Sequence, residues 1–425
     1  MSQIAFQLRQ FAQRMWFLPA AFSAVAVASI AIAYVLAQFA PDSLPFTVPS
    51  SGLMSILTIL ASSLLTVAVF ALSTMVSALV SASSATTPRA VPLIIGDRSA
   101  QTSISVFIGA FLFSVVGIIG LSSGIYSEAG RLFLFAVTLA VLLLVVTALI
   151  RWIGQISAIG RVGHTIDRVE KAARDAFKTL SAHPCFDCVE QVVAPEGMAI
   201  PARDVGYVQH FDAGVLQRIA EEHDLKVGVM ARPGAYVGPD RPLLRVSGVV
   251  PDEAVDALLG AFVLGDSRTF FSDPRFGLVV LGEIASKALS PGINDPGTAI
   301  DVIGTLVRVL VTRPPEADSD PDGDGKPRYD RVSVAPLDPA DLIHDGFRPI
   351  ARDGAGTIEV VLRLLVALRM IAAANPMLEE PAMAMARDAA ARARQALTAE
   401  SDLAVLEEAS DFARETKARP RKTAK

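Results

Sequence analysis

Apolar and polar positions follow two regimes along the chain. Through the first 155 residues long apolar runs are interrupted only by short polar stretches, and from Trp16 to Pro88 the only formal charge is Asp42. Four runs, about 16–40, 52–82, 102–123 and 131–153, reach the roughly 20 apolar residues that a bilayer-crossing helix requires. Beyond residue 155, apolar residues recur at helix or strand spacing among charges, as in a water-facing fold.

That second regime reads as mixed α and β structure. Residues 154–180 form a helix leaving the membrane, with Ile156, Ile159, Val162 and Ile166 on one side. "YVQH" (207–210) is a strand, and "DAGVLQRIAEEHDL" a helix with Asp212 as its N-cap. "KVGVMARPGAYVGPDRPLLRVSG" reads as short strands around Pro-Gly and Gly-Pro-Asp turns, and "PDEAVDALLGAFVLG" as a helix opened by Pro251. Further helices follow at 276–289, 296–312, 338–349, 353–374, 381–398 and 400–416. The predicted fold class is a membrane α-helical protein of four transmembrane helices, followed by a cytosolic α+β domain with a helical C-terminal region. Its parts are a transmembrane domain (1–155), an α/β subdomain (156–265), a helical hairpin (266–312), an acidic linker (313–330) and a helical C-terminal subdomain with a basic tail (331–425).

Span two is longer than a bilayer needs and carries an ordered polar pattern. At 100° per residue Ser55, Ser63, Thr66, Ser73, Thr74, Ser77, Ser81 and Ser84 fall within about a 100° arc. Small hydroxyl residues allow close helix approach in lipid; the same face would also suit a hydrated path at the centre of a homo-oligomer. Ser63, Thr66, Ser73, Ser77 and Ser81 are the pore-facing candidates of that second reading. Gly109, Gly117 and Gly120 in span three point to close helix packing. No Asp, Glu, Lys, Arg or His lies in the middle of any span, which disfavours the relay and counter-ion chemistry of active transport.

Composition agrees with the pattern: 52% hydrophobic and 19% charged residues, with a mean hydropathy of +0.46. The net charge of −5 offers no electrostatic case for nucleic acid as a partner. Arg9 and Arg14, Arg89 and Arg98, and Arg151, Arg161, Arg168, Lys171 and Arg174 flank the spans on one side, while the 41–51 and 124–131 loops carry one cation between them. The positive-inside bias therefore predicts a multi-pass inner-membrane protein with cytoplasmic termini. The tail "KARPRKTAK" is either solvated or in contact with an anionic leaflet.

Candidate chemistry is sparse. "HPCFDC" sets His183, Cys185 and Cys188 at H-x-C-x-x-C spacing, but five histidines and two cysteines in all provide no second half of a zinc site, so reduced thiols are expected and no metal or cofactor. "DSDPDGDG" begins like a calcium loop, yet Tyr329 stands where the twelfth-position Glu is needed. No phosphate-binding loop, nucleophile elbow or H-E-x-x-H motif is present, so an enzyme is the third reading. The densest polar stretch is "GDSRTFFSDPRFGLVVLGEIASKALSPGINDPGTAID". In SPGINDP, Pro291-Gly292 predicts a helix stop, and Asp295-Pro296 a capped restart. Arg268, Asp273, Arg275, Asn294 and Asp295 are the candidates either for a salt-bridge network or for a pocket holding an ion or small ligand.

Long segments resemble one bacterial family of predicted membrane proteins, domain of unknown function 2254. They are "SSATTPRAVPLIIGDRSAQTSISVFIGAFLFSVV", "GYVQHFDAGVLQRIAEEHDLKVGVMARPGAYVGPDRPLLRV" with its R-P-G-x-[FY]-V, "SRTFFSDPRFGLVVLGEIASKALSPGINDPGTA" and "IEVVLRLLVALRMIA". The resemblance implies four spans plus a cytosolic domain and brings no catalytic residues; the acidic linker and HPCFDC lie outside it. Two functions are consistent with the residues: a homo-oligomeric passive channel or pore with a cytosolic gating domain, or a membrane-anchored cytosolic ligand sensor or scaffold.

Overall fold

The computed structural model describes residues 16–37, 48–95, 98–124, 126–156, 161–193, 196–311 and 327–414. Arg9, Arg14, most of the 41–51 loop, linker residues 313–326 and the basic tail lie outside them. The chain divides into two compact units, with the boundary between Thr165 and Ile166.

The first unit is all helical. Its helices are α1 (Phe17–Ala37), α2 (Ser50–Ala85), the short α3 (Val91–Ile95), α4 (Arg98–Ser122) and α5 (Glu128–Ile156). Three helices have the length and composition to cross a membrane: α2, the Gln101–Ser122 part of α4, and α5, whereas the apolar run Phe17–Ile32 is shorter. Helix α2 runs 36 residues without a break, about 54 Å at 1.5 Å per residue against a hydrocarbon core of roughly 30 Å. Its leucine and alanine face (Leu53, Leu57, Leu60, Leu64, Ala68, Ala71) and Met75 are buried, in clusters shared with Phe107, Ala110 and Phe113 of α4 and Leu134, Val145 and Trp152 of α5. Glycines set the spacing around α4, as span three predicts. A Cβ on Gly109 would lie 3.3 Å from the backbone oxygen of Phe22, one on Gly117 3.1 Å from Leu57, and one on Gly120 2.6 Å from the Tyr126 ring.

The second unit opens with α6 (Val162–Ala182), of which Ile166 onward belongs to it. The predicted 154–180 helix is therefore two helices, α5 ending at Ile156 and α6 starting at Val162; residues 157–160 lie outside the described ones. A five-stranded mixed sheet follows in the order β1 (Cys188–Glu190), β8 (Tyr329–Val334), β4 (Lys226–Val229), β6 (Pro242–Ser247) and β2 (Met198–Pro201). β8 pairs in parallel with β1 and β4, in register Val227 to Val332, while β4–β6 and β6–β2 are antiparallel. A second antiparallel sheet has the order β5 (Tyr236–Val237), β3 (Gly206–Phe211) and β7 (Phe262–Gly265). Helix α7 (Ala213–Glu222) starts at the predicted cap, Asp212 accepting from the amides of Gly214 and Val215. Leu216 and Ile219 of α7 join Val227, Val229, Leu244, Val246, Val332 and Val334 in one core.

Two expectations change here. "PDEAVDALLGAFVLG" is helical only as α8 (Asp252–Gly260); its last residues form β7, because Phe262 is buried against Phe211 across the β3–β7 pair. The stretch read as linker to residue 330 contains the start of β8, Tyr329 and Asp330, held by Gln217, which donates to the Asp330 carboxylate at 2.7 Å and accepts from the Arg331 amide.

The remaining helices are α9 (Pro274–Ala288), α10 (Pro296–Val311), α11 (Pro339–Asp353), α12 (Ile358–Ala374), α13 (Glu379–Ala396) and α14 (Glu400–Arg414). Glycines again mark the closest approaches. A Cβ on Gly277 would lie 2.5 Å from the Ala173 Cβ of α6, and one on Gly282 would lie 2.9 and 3.0 Å from the carbonyl oxygens of Gly346 and Asp345 of α11. The Asp345 carbonyl is the one left without its helical donor by Pro349 four residues on.

Candidate functional site

The polar block 266–275 and the R-P-G turn meet at Asp273. This carboxylate is 2% exposed and is the N-cap of α9, accepting from the Arg275 amide at 3.1 Å. Arg268 Nε donates to its other oxygen at 2.7 Å, with the Arg268 guanidinium 5.3 Å from the centre of the Phe276 ring. Gly234, at φ +93°, lies against the same carboxylate, where an ideal Cβ would fall 2.3 Å from Oδ2. The R-P-G-x-[FY]-V turn is thus a glycine-dependent lid on a buried anion. Burial holds the Asp273 carboxyl above its ordinary value, and the Arg268 hydrogen bond with the Arg268 and Arg275 charges offsets that rise only in part.

Arg275 points the other way, to α11. Its Nε and Nη2 bond Asp345 at 2.6 and 3.1 Å, and Nη1 bonds Asp341. Burial lowers the Arg275 guanidinium, but Asp345 and Asp341 outweigh it and hold it above its ordinary value. Arg232, lowered by burial with Cys185 opposing that shift, donates to the Ala335 carbonyl and stacks 5.2 Å from the Phe186 ring centre. Arg268 with Asp273, and Arg275 with Asp341 and Asp345, are thus two ion-paired sets joined through the Arg275 amide on Asp273, and Arg232 lies near enough to feel the Asp273 charge. Nearby, the Ser272 hydroxyl lies 3.4 Å from Nδ1 of buried His210.

Asn294 and Asp295 are not part of this cluster. They sit at the other end of α9, 15 residues long, hence about 20 Å away. The helix stops before Pro291-Gly292, as the sequence predicts, and the turn takes its left-handed residue at Asn294, φ +51°; Asn is among the residues that tolerate this region. The Asn294 amide bonds the Ser290 carbonyl and the Asp295 amide that of Ala288, each at 2.8 Å. Asp295 then accepts from the Thr298 amide at 3.1 Å and its hydroxyl at 2.6 Å, capping α10 as the sequence predicts. These bonds, the hydroxyl first, hold the Asp295 carboxyl below its usual range. Local chain geometry thus accounts for every polar residue of SPGINDP, Asn294 included.

At HPCFDC, Cys185, Phe186 and Asp187 have φ of 48°, 61° and 62°, and the His183 imidazole Nδ1 lies 2.9 Å from Asp187. Both thiols are free. Burial, then the neighbouring Asp187 and Cys185, pushes the Cys188 thiol up to about 12. Among the described residues no three His, Cys, Asp or Glu side chains are grouped to hold a metal.

On α2 the expected hydroxyl row is exposed. Ser55, Ser63, Thr66, Ser73, Ser77, Ser81 and Ser84 all face outward from the unit and Thr74 is half-buried. Ser55 and Thr66 return their hydroxyls to carbonyls four residues back, whereas Ser63, Ser73, Ser77 and Ser81 have no hydrogen-bond partner among the described residues. A third face of the helix, with Leu65, Leu72, Val76 and Val80, is exposed and apolar.

Long apolar helices with lipid-type outer faces, joined in sequence to a mixed α/β region and a set of C-terminal helices, define a multi-pass membrane protein. No curated protein and no solved structure matches the chain. The family model described as predicted membrane protein (DUF2254) matches residues 12–370, and the chain belongs to that family.

Of the block Arg268, Asp273 and Arg275, Arg268 is ion-paired to Asp273, while Arg275 gives that carboxylate its amide and its guanidinium to Asp341 and Asp345. The sequence pattern missed Asp341, Asp345, Arg232 and Gly234. Asp341 and Asp345 lie 66 and 70 residues from Arg275, beyond any local pattern; Arg232 and Gly234 stood inside the R-P-G motif, which was the one available signal.

Proposed function

We propose that the protein is a homo-oligomeric passive pore in which the hydroxyl face of α2 lines the path, α1 is the fourth crossing, and residues from Ile166 onward form a cytoplasmic gating domain. The observation that carries this reading is the row Ser63, Ser73, Ser77 and Ser81: exposed, without hydrogen-bond partners among the described residues, and on a helix whose opposite face is buried by its own bundle. In hydrocarbon an unsatisfied hydroxyl is unfavourable by about 1–3 kcal/mol, and water at a symmetry axis removes that cost. The other outward positions of α2 and α5, such as Val80, Leu143 and Ile150, supply an ordinary lipid-facing surface. Ile59 and Phe70, each 64% exposed, fall on the hydroxyl side of α2 and give the path apolar constrictions of the kind that gate by dewetting. The charge-free middle of the spans fits passive flow rather than ion-coupled transport, and the cation-rich flanks orient the second unit towards the cytoplasm.

Purified protein in planar bilayers tests this. The reading expects unitary conductance that falls when Thr66, Ser73 or Ser77 is made bulky; absence of conductance, or indifference to those substitutions, overturns it.

A further inference from the structure

Outside the Asp273 network, a cavity of about 430 Å³ opens among α9, α11 and α13, lined by Val279, His344, Asp345, Arg348, Pro349, Arg352 and Arg392. Its volume is in the range of small-molecule pockets, about 300–1,000 Å³. His344, Arg348 and Arg352 follow one another at four-residue steps, which places all three on one face of α11. Arg392 reaches the same space from α13.

The state of each basic group decides what the cavity can hold. Arg352 and Arg392 are already oriented by neighbouring carboxylates, Arg352 by Asp353 at 2.6 Å and Arg392 by Asp388 at 2.8 Å. Each of those contacts leaves guanidinium N–H groups unused, since five are available per arginine. Arg348 and His344 have no hydrogen-bond or ion-pair partner among the described residues. The one acidic group in the lining, Asp345, is turned away into its bidentate pair with Arg275. The cavity therefore has a basic rim, with His344, Arg348 and Arg352 exposed to solvent and Arg392 half-buried, beside Val279 and Pro349 as an apolar wall.

We propose that this cavity binds a phosphate-bearing anion, with Arg348 as the principal contact, Arg352, Arg392 and His344 as flanking donors, and the organic part of the ligand against Val279 and Pro349. A dianion with three terminal oxygens uses several planar guanidinium forks at once, which a single carboxylate does not. The volume exceeds that of bare phosphate and leaves room for an attached body. That body is either a soluble phosphate ester or a lipid carrying a phosphomonoester headgroup. The proposal does not depend on the membrane unit conducting.

The test uses the full-length protein in phosphatidylcholine nanodiscs, with the unfolding temperature followed against phenyl phosphate, inorganic phosphate and citrate at matched ionic strength. A parallel set of nanodiscs contains phosphatidic acid. Expected is a saturable rise in unfolding temperature with phenyl phosphate, or with phosphatidic acid alone, the two outcomes assigning the soluble and the lipid source. Arg348→Gln and Arg392→Gln should each weaken apparent affinity about tenfold, the worth of one charge-assisted hydrogen bond, and Arg348→Lys less. Calorimetric titration of the same variants measures affinity directly should a substitution itself shift the unfolding temperature. No response to either phosphate source, a response in both Gln variants equal to that of the parent, or a response to citrate in place of phosphate overturns the proposal.

Discussion

Replacing Asp273 tests whether the Arg268–Asp273–Arg275 block is structural. Asp273→Ala removes the acceptor for Arg268 Nε at 2.7 Å and the cap on the Arg275 amide at 3.1 Å, and it leaves Arg268, 18% exposed, without its carboxylate. Loss of an N-cap costs about 1 kcal/mol. Breaking a buried ion pair costs about 3–5 kcal/mol, and the residual exposure of Arg268 puts this case at about 2–3, for a sum of about 3–4 kcal/mol. In a domain of this size each kcal/mol moves the midpoint by about 2–4 °C, so thermal unfolding of the purified protein should fall by roughly 10 °C. Asp273→Asn keeps the cap acceptor and shape and should lose about half as much. In a double-mutant cycle Arg268→Ala and Asp273→Ala should couple by about 2 kcal/mol, as contacting charged partners do. A midpoint for Asp273→Ala within about 2 °C of the parent, or strict additivity with Arg268→Ala, would refute the structural assignment.

Gly234→Ala places a Cβ 2.3 Å from the Asp273 carboxylate at φ +93°, so its unfolding midpoint should drop by several degrees, at about 1–3 kcal/mol for the backbone strain alone. Gly292→Ala, with nothing within 4 Å of its Cβ, is the matched control and should be near neutral; similar losses in both would remove the argument. Asp295→Ala should cost about 1 kcal/mol through the lost α10 cap. Because the folded Asp295 carboxyl lies below its unfolded value, that contribution is present above the unfolded pKa of about 4 and disappears as pH falls through the folded value. Urea titrations of parent and variant should therefore differ at neutral pH and converge in acid, and a difference that persists in acid would exclude the charged cap.

Much of this was legible from local pattern. Asp212 and Asp295 were readable as caps because N-cap chemistry acts within three residues, and the long helices because apolar periodicity repeats over many turns. β1, β2 and β8 were not, since strands of three to six residues carry little periodicity and β8 acquires its identity from partners about 100 and 140 residues earlier, Val227 and Cys188. The helix stop at Pro291-Gly292 was legible from turn composition, whereas the left-handed residue of the turn, Asn294, was not, because only the path of the chain selects it. The row His344, Arg348 and Arg352 went unread in the sequence, since exposed arginines at four-residue spacing are common on helices and Arg392 joins the same cavity only through the packing of α11 and α13.

The central claim, that the hydroxyl face of α2 lines a pore, is tested most directly by comparing two tryptophan substitutions in single-channel recordings of the reconstituted protein. Ser73→Trp lies on the hydroxyl face and Val76→Trp on the exposed apolar face of the same helix. The account predicts that Ser73→Trp abolishes or sharply reduces unitary conductance while Val76→Trp leaves it at the parental level. Equal conductance in the two variants, or a block by Val76→Trp alone, would contradict it.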